Sequence, residues 1–306
     1  MRLLFAGTPD VALPSLDALM RSTHDVIGVL TRPPAPAGRG RSERPSPVHD
    51  RALDLGLPVI TAARLDAGVI AAVRDLGPDC CPVVAYGALI TPSALDLPRF
   101  GWINLHFSLL PRWRGAAPVQ HAIRAGDEQT GTTTFRIDAG LDTGPILLEE
   151  STPVGDRETS GELLGRLAVS GARLLLRTMD RLESDTIDAV PQRDAGVTLA
   201  PRIGVDDARI NWSRSAAEVD RLVRAMTPTP GAWTTLRDER IKIGPVAPLD
   251  TSHMGAGEIR AERSSVTVGT HTGDVRLGEV QPHGKRAMPA ADWARGLRLA
   301  GGERFA

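Results

Sequence analysis

The sequence predicts an α/β protein in two parts, a parallel-rich sheet covered by helices and a smaller OB-like β-barrel domain after it. Three observations carry this expectation. Short apolar runs alternate with helical patterns through the first half, the rhythm of strands joined by crossover helices. A stretch from Ile187 to Val205, with Pro191, Gly196, Pro201 and Gly204, shows little periodicity. Beyond it come many short apolar runs separated by Gly, Pro, Asp and His, the texture of a small barrel. Residues 1–189 are therefore expected to form one domain, 190–205 a linker and 206–306 a second. A chain of 306 residues is long enough for two ordinary domains.

Taken in order, Arg2–Ala6 reads as a strand, followed by a Gly-Thr-Pro-Asp turn and a helix over Val11–Arg21. Strands are expected at Val26–Leu30, Pro58–Ile60, Cys80–Ala85 and Gly101–His106, with helices at Val48–Leu55 and Ala67–Leu76 between them. Val119–Ala125 reads as a helix, and Thr132–Ile137 and Ile146–Glu149 as strands. Thr159-Ser160-Gly161-Glu162 can cap a long helix to Leu182, whose leucines form a core stripe at helical spacing. After the linker, Ser215–Ala225 is a helix with a Ser N-cap. The short runs 232–236, 240–243, 257–260, 265–268 and 275–279 then read as strands.

Composition narrows the function. The net charge is −1, so any nucleic-acid contact must come from a local patch. Cys80 and Cys81 are adjacent in an apolar run and read as buried thiols, because a disulfide between neighbours is strained. There is no Cys-x-x-Cys, and no metal is expected. No signal peptide or membrane span is evident, so the expected compartment is the cytoplasm. A monomer is expected as well. Gly7-Thr8-Pro9-Asp10 follows a strand but lacks Gly-x-Gly-x-x-Gly, which disfavours a dinucleotide site.

The chemistry-bearing residues lie at one strand end. Asn104 and His106 alternate onto the same face. An amide donor beside an imidazole can hold a developing oxyanion and manage a proton. Asp142 sits in a glycine-bracketed turn, Gly140-Leu141-Asp142-Thr143-Gly144. Taken singly, a histidine or asparagine at such a place is more often structural, and spacing alone does not bring the three together. Ser108 lacks the Gly-x-Ser-x-Gly elbow of an acyl-enzyme nucleophile. Ser108-Leu109-Leu110-Pro111 is either a strand exit fixed by proline or a ledge for a flat heterocycle. The loop 32–47 carries Arg32, Arg39, Arg41 and Arg44 against Glu43. It reads either as solvated surface or as a phosphate-contacting loop without base stacking.

The runs Phe-Ala-Gly-Thr-Pro-Asp (5–10), Pro-Ala-Gly-Arg-Gly (36–40), Val-Val-Ala-Tyr-Gly (83–87), Ser-Leu-Leu-Pro-Arg-Trp-Arg-Gly-Ala-Ala-Pro-Val-Gln (108–120) and Gly-Leu-Asp-Thr-Gly (140–144) resemble the methionyl-tRNA formyltransferase family. So do Ile210-Asn211-Trp212, Arg224-Ala225 and Lys285-Arg286-Ala287-Met288 beyond the linker. The resemblance implies a Rossmann-like formyltransferase domain and a C-terminal barrel that binds tRNA. It implies 10-formyltetrahydrofolate as co-substrate and methionyl initiator tRNA as acceptor. Asn104, His106 and Asp142 match the family's catalytic trio. Ser108, Leu109, Leu110 and Pro111, with Val84, Tyr86 and Gly87, match folate-contacting positions. Arg41 matches its tRNA-contacting arginine, with Arg39 the competitor if the loop alignment slips. Phe107 departs from the small residue of some members, and a packing change with retained chemistry is expected there. Two rivals share features of the chain: a formyltransferase acting on another amine, and a non-catalytic RNA-binding protein on the same scaffold.

Overall fold

Residues 1–37, 42–250, 254–299 and 302–306 are described by the computed structural model. The chain divides into two units. The first comprises residues 1–118, 129–153 and 164–200, the second 119–128, 154–163 and 201–306.

In the first unit, strand β1 (Arg2–Gly7) is followed by a single 3-10 turn, Asp10–Ala12, and helix α1 (Leu13–Met20). The one helix expected over Val11–Arg21 is split because Pro14 occupies the first turn of α1, where its missing N–H costs nothing. β2 (Asp25–Thr31) leads to a small hairpin, β3 (Ala35–Ala37) and β4 (Ser42–Arg44), inside the arginine-rich loop. Arg39 and Arg41 lie outside the described residues. α2 (Pro47–Asp54) starts at Ser46, whose side chain accepts from the His49 N–H. Then come β5 (Val59–Thr61), α3 (Ala67–Leu76), β6 (Cys81–Val84), the short α4 (Pro92–Leu95) and β7 (Trp102–His106). Asp66 caps α3 at one end, and Gly77, in the left-handed region at φ 61°, closes the other. α5 (Pro118–Ala125) comes next and, after its first residue, belongs to the second unit; β8 (Gln129–Arg136), β9 (Ile146–Pro153) and, from Leu164, α6 (Ser160–Glu183) belong to the first.

Seven of these nine strands form one sheet in the order β5-β2-β1-β6-β7-β8-β9, and β3 and β4 pair only with each other. Pairing is parallel from β5 through β7, and β8 and β9 add antiparallel. β1 is buried from Leu3 to Gly7, as a strand covered on both faces must be. One core cluster packs Leu4, Ala6, Leu30, Tyr86 and Trp102 together, and the Trp102 indole N–H donates to the Ala94 carbonyl at 2.8 Å. The free thiols of Cys80 and Cys81 are fully buried.

The second unit contains α7 (Ala216–Met226), which begins in a capping box between Ser215 and Glu218. Eight short strands follow: β10 (Trp233–Leu236), β11 (Glu239–Ile243), β12 (Val246–Pro248), β13 (Ile259–Ala261), β14 (Val266–Gly269), β15 (Asp274–Leu277), β16 (Glu279–Pro282) and β17 (Met288–Pro289). α8 (Ala290–Leu297) comes last. The strands pair antiparallel in two four-stranded sheets, β10-β11-β16-β17 and β12-β15-β14-β13. The single strand expected over 275–279 breaks at Gly278, where the chain passes from one sheet to the other. A Cβ there would meet the Pro245 carbonyl oxygen at 2.9 Å, so the crossing needs glycine. The core is aromatic: Phe305 stacks on Trp212 and Trp293 with ring centroids 5.4 and 6.0 Å away.

The stretch 190–205, expected to be a linker throughout, is not uniform. Residues 190–200 belong to the first unit. Val190 bridges antiparallel to Ile146, and Leu199 bridges parallel to Arg114. These isolated bridges leave no periodic side-chain pattern, so the sequence shows only an aperiodic connector there.

Candidate active site

The sheet order reverses at β1, which pairs β2 on one side and β6 on the other. Ligands of such sheets bind beyond the carboxyl ends of the strands at this reversal. The Thr8 hydroxyl donates to the Tyr86 carbonyl at 2.7 Å, and Arg32 Nη1 donates to the Gly87 carbonyl at 2.8 Å. Val84 and Tyr86 are buried, and the Tyr86 hydroxyl donates to the Ala62 carbonyl at 3.3 Å. The Tyr86 ring is therefore core, and only its backbone lies at the strand end. Gly87 is exposed at φ 80°.

On the far side of β6, β7 pairs Asn104 with Val83 on β6 and His106 with Thr133 on β8. Asn104 and His106 share a face, as alternation requires. Asn104 is half-buried, and among the described residues its side chain has no hydrogen-bonding partner. His106 is buried, with its Nε2 2.8 Å from the Trp113 carbonyl oxygen. A carbonyl only accepts, so this contact assigns the ring proton to Nε2 in the neutral form. The Nδ1 lone pair then faces Asp142, whose Oδ2 is 3.8 Å away. That gap is too long for a direct hydrogen bond. The Phe135 ring lies T-shaped against the imidazole, at a centroid distance of 6.4 Å. Burial pushes the His106 pKa down, and the Asp142 charge and the Trp113 carbonyl partly oppose it.

Asp142 is held in the left-handed region at φ 51°. Its Oδ2 accepts from the Gly115 N–H at 2.7 Å. The turn is tied internally, since Asp138 Oδ1 accepts from the Gly140 N–H at 3.0 Å and the Thr143 hydroxyl at 2.7 Å. A Cβ on Gly144 would stand 1.8 Å from the Arg136 carbonyl oxygen, which explains the second glycine of the turn. The structure thus brings His106 and Asp142 together beside Asn104.

The Ser108–Pro111 ledge begins directly after β7. Ser108 is buried and its hydroxyl donates to the Arg112 carbonyl at 2.6 Å, so it is occupied as a turn support. The Thr133 hydroxyl fixes the ledge from below. It donates to the Ser108 carbonyl at 2.7 Å and accepts from the Leu110 N–H at 3.2 Å, with Glu149 Oε1 3.3 Å away. Burial raises the Glu149 pKa, against the Thr133 contact and the Arg193 charge. Leu110 and Phe107 are buried, while Leu109 and Pro111 are half-buried. Among the described residues no group of three or more His, Cys, Asp or Glu side chains is placed to hold a metal ion.

Sequence reasoning assigned no role to Trp113, Gly115, Gln192 or Thr198, although all bear on the site. Trp113 and Gly115 contribute backbone groups, which no residue type advertises. Gln192 and Thr198 lie in the supposed linker, where no periodicity marks them.

Comparison with known proteins identifies the family. Residues 1–179 match the formyl transferase family and residues 202–298 match formyl transferase, C-terminal domain. A methionyl-tRNA formyltransferase of Thermobifida fusca is 57% identical over 307 aligned positions, covering 100% of this chain and 99% of that protein. One from Salinispora arenicola is 55% identical, covering 99% of each chain. Among solved structures, the N-formyltransferase of Helicobacter canadensis in complex with folinic acid and dTDP-3-aminofucose has a TM-score of 0.70. It is 18% identical, covering 92% of this chain and 99% of that one. The methionyl-tRNA formyltransferase of Clostridium thermocellum has a TM-score of 0.57 at 15% identity, covering 88% and 99%. At such identities the structures share the fold, and it is the full-length sequence identity that decides kinship: the chain belongs to the methionyl-tRNA formyltransferase family.

Proposed function

We propose that the protein transfers the formyl group of 10-formyltetrahydrofolate to the α-amino group of methionyl initiator tRNA. The observation that carries formyl transfer is the buried His106 with its basic nitrogen turned to Asp142, beside an Asn104 amide that has no partner among the described residues. The acceptor follows from full-length identity to curated methionyl-tRNA formyltransferases.

The amine nitrogen attacks the formyl carbon, and the carbonyl electron pair moves onto oxygen. Asn104 donates a hydrogen bond to that oxyanion. Neutral His106 takes the proton lost by the amine at Nδ1, and Asp142 stabilises the resulting imidazolium. Collapse of the intermediate breaks the bond to N10 of the folate, which leaves with the proton that His106 returns. Main-chain groups at Tyr86 and Gly87 and the Ser108–Pro111 ledge are assigned to the folate, with Val84 packing behind them.

The tRNA is assigned to Arg39 and Arg41 and to the second unit. There Arg240 lies over the Trp233 ring at 4.1 Å and Arg209 lies over the same ring at 5.6 Å. Arg240, Lys242 and His283 line a hollow of about 330 Å³. Three basic side chains with a cation-bearing aromatic suit a phosphate backbone. In this reading residues 1–189 carry catalysis, 206–306 carry tRNA binding, and the protein works as a cytoplasmic monomer. No helix among the described residues is long and apolar enough to cross a membrane.

The test is transfer of labelled formyl from 10-formyltetrahydrofolate to methionyl initiator tRNA, with methionyl elongator tRNA as control. Transfer to the initiator alone is expected. Formylation of a nucleotide-linked amino sugar without tRNA would sink the acceptor assignment. Arg39→Ala and Arg41→Ala should weaken tRNA use and leave folate binding intact.

A further inference from the structure

We infer that Gln192 is a positioning residue for formyl transfer: its amide ties the Asp142 turn to the Trp113–Gly115 turn and so sets the gap between Asp142 and His106. The inference rests on the formyl-transfer reading above. Gln192 Nε2 donates to the Asp142 carbonyl and to the Gly144 carbonyl, both at 2.8 Å. Its Oε1 accepts from Arg114 Nε at 3.0 Å and Arg114 Nη2 at 2.7 Å. Both amide hydrogens and both oxygen lone pairs are used. The orientation is chemically forced. Turned over, the amide would set N–H against guanidinium N–H and oxygen against two carbonyls.

Each tied turn carries one half of the His106 environment. The Trp113 carbonyl accepts a hydrogen bond from the Nε2–H, and the Gly115 N–H orients the Asp142 carboxylate. Neither turn is part of a named strand or helix. Trp113 at φ 60° and Asp142 at φ 51° adopt backbone conformations that such residues keep only when their surroundings hold them. The hold comes from residues 190–200. The Trp113 N–H donates to the Thr198 hydroxyl at 2.8 Å, the Arg114 N–H to the Thr198 carbonyl at 2.9 Å, and the Ala200 N–H to the Arg114 carbonyl at 2.7 Å. A Cβ on Gly115 would stand 2.6 Å from the Ala200 carbonyl oxygen, so this segment passes directly over the turn. Within it, Gln192 is the side chain that reaches both turns.

At 3.8 Å, the Nδ1 to Oδ2 separation lies just outside hydrogen-bond range. A small drift of the Asp142 turn therefore changes how strongly the carboxylate supports a proton on His106. Asp142 is the charged group that His106 meets, and the Trp113 carbonyl and the Phe135 ring are its other neighbours.

Two variants test this. Gln192→Met keeps the length of the side chain and removes all four hydrogen bonds. Gln192→Glu keeps the Arg114 pairing and sets an oxygen against the two carbonyls. For both, kcat should fall about 10- to 100-fold, the scale of a small misplacement of reacting groups. KM for each substrate should stay within about threefold, because neither substrate is held by Gln192. In Gln192→Met the acidic limb of the kcat profile should move to lower pH, since the Asp142 charge that raises the His106 pKa is less well placed. Single-turnover rates in an Asp142→Asn background should drop less than about threefold on adding Gln192→Met, because the residue acts through that carboxylate. Should Gln192→Met fail to fold, Gln192→Glu and its kcat decide. A kcat within about twofold of wild type in a folded variant, or equal losses in both backgrounds with an unmoved pH limb, overturns the inference. Formyl transfer by wild type to a different amine would refute the acceptor reading alone, since the variants are then compared on that amine.

Discussion

In the proposed mechanism Asn104 and His106 divide the work of the site by what already occupies them. The Asn104 amide has no partner among the described residues and is available to an oxyanion. His106 has committed its Nε2 proton to the Trp113 carbonyl, so its free nitrogen is a base. Asn104→Ala should lower kcat about 10²- to 10³-fold, as loss of one oxyanion donor does, with little change in KM for folate. The His106 pKa is lowered by burial, so the acidic limb of kcat should fall below the ordinary histidine value of 6.5. Asp142→Asn removes the charge that opposes this shift and should carry the limb lower still. The same shift affects stability. A histidine kept neutral in the folded state binds fewer protons than in the unfolded chain. Its contribution is complete above the unfolded pKa and declines as pH falls below it, a trend that melting at stepped pH would show. Alternation along one strand makes the pairing of Asn104 with His106 legible in the sequence. The left-handed Asp142 and the carbonyl of Trp113 are not, because both depend on backbone conformation rather than residue type.

At the scale of elements, α7 shows how a buried charge is accommodated. Asp220 accepts from Arg224 Nε at 2.7 Å and from Arg157 Nη1 at 3.1 Å, and both Asp220 and Arg224 are buried. Asp220→Ala leaves Arg224 buried without its carboxylate and should destabilise the second unit by about 3–5 kcal/mol, measurable by denaturant unfolding. Elements with strong local signals were legible. β1 is an uninterrupted apolar run, α3 lies between an Asp cap and a left-handed Gly, and α7 opens on a Ser–Glu box. Elements without such signals were not. The hairpin of β3 and β4 is only three residues a side and β17 is two residues long, so neither has room for a period. The division of 275–279 into β15 and β16 depends on the Pro245 carbonyl, which is distant in sequence.

Across the whole molecule the net charge of −1 gives no general attraction to nucleic acid. In the proposed reading, attraction to tRNA rests on local clusters such as Arg240, Lys242 and His283. Raising salt from about 50 to 200 mM should raise KM for tRNA about tenfold or more, with KM for folate nearly unchanged. Arg240→Ala should weaken binding to all tRNAs alike and reduce the salt slope by about one. A salt-independent KM for tRNA would remove the phosphate role of these side chains. The sequence by itself determined the α/β class, the strand that carries Asn104 and His106, the glycine turn that carries Asp142, and, through full-length kinship, the family. These are local patterns or accumulated identities, and both are written along the chain. Only the tertiary structure decided that residues 190–200 belong to the first unit, that Tyr86 is core, and that Gln192 joins the two turns around His106. Those facts arise from isolated hydrogen bonds between segments far apart in sequence, and such bonds leave no periodic trace.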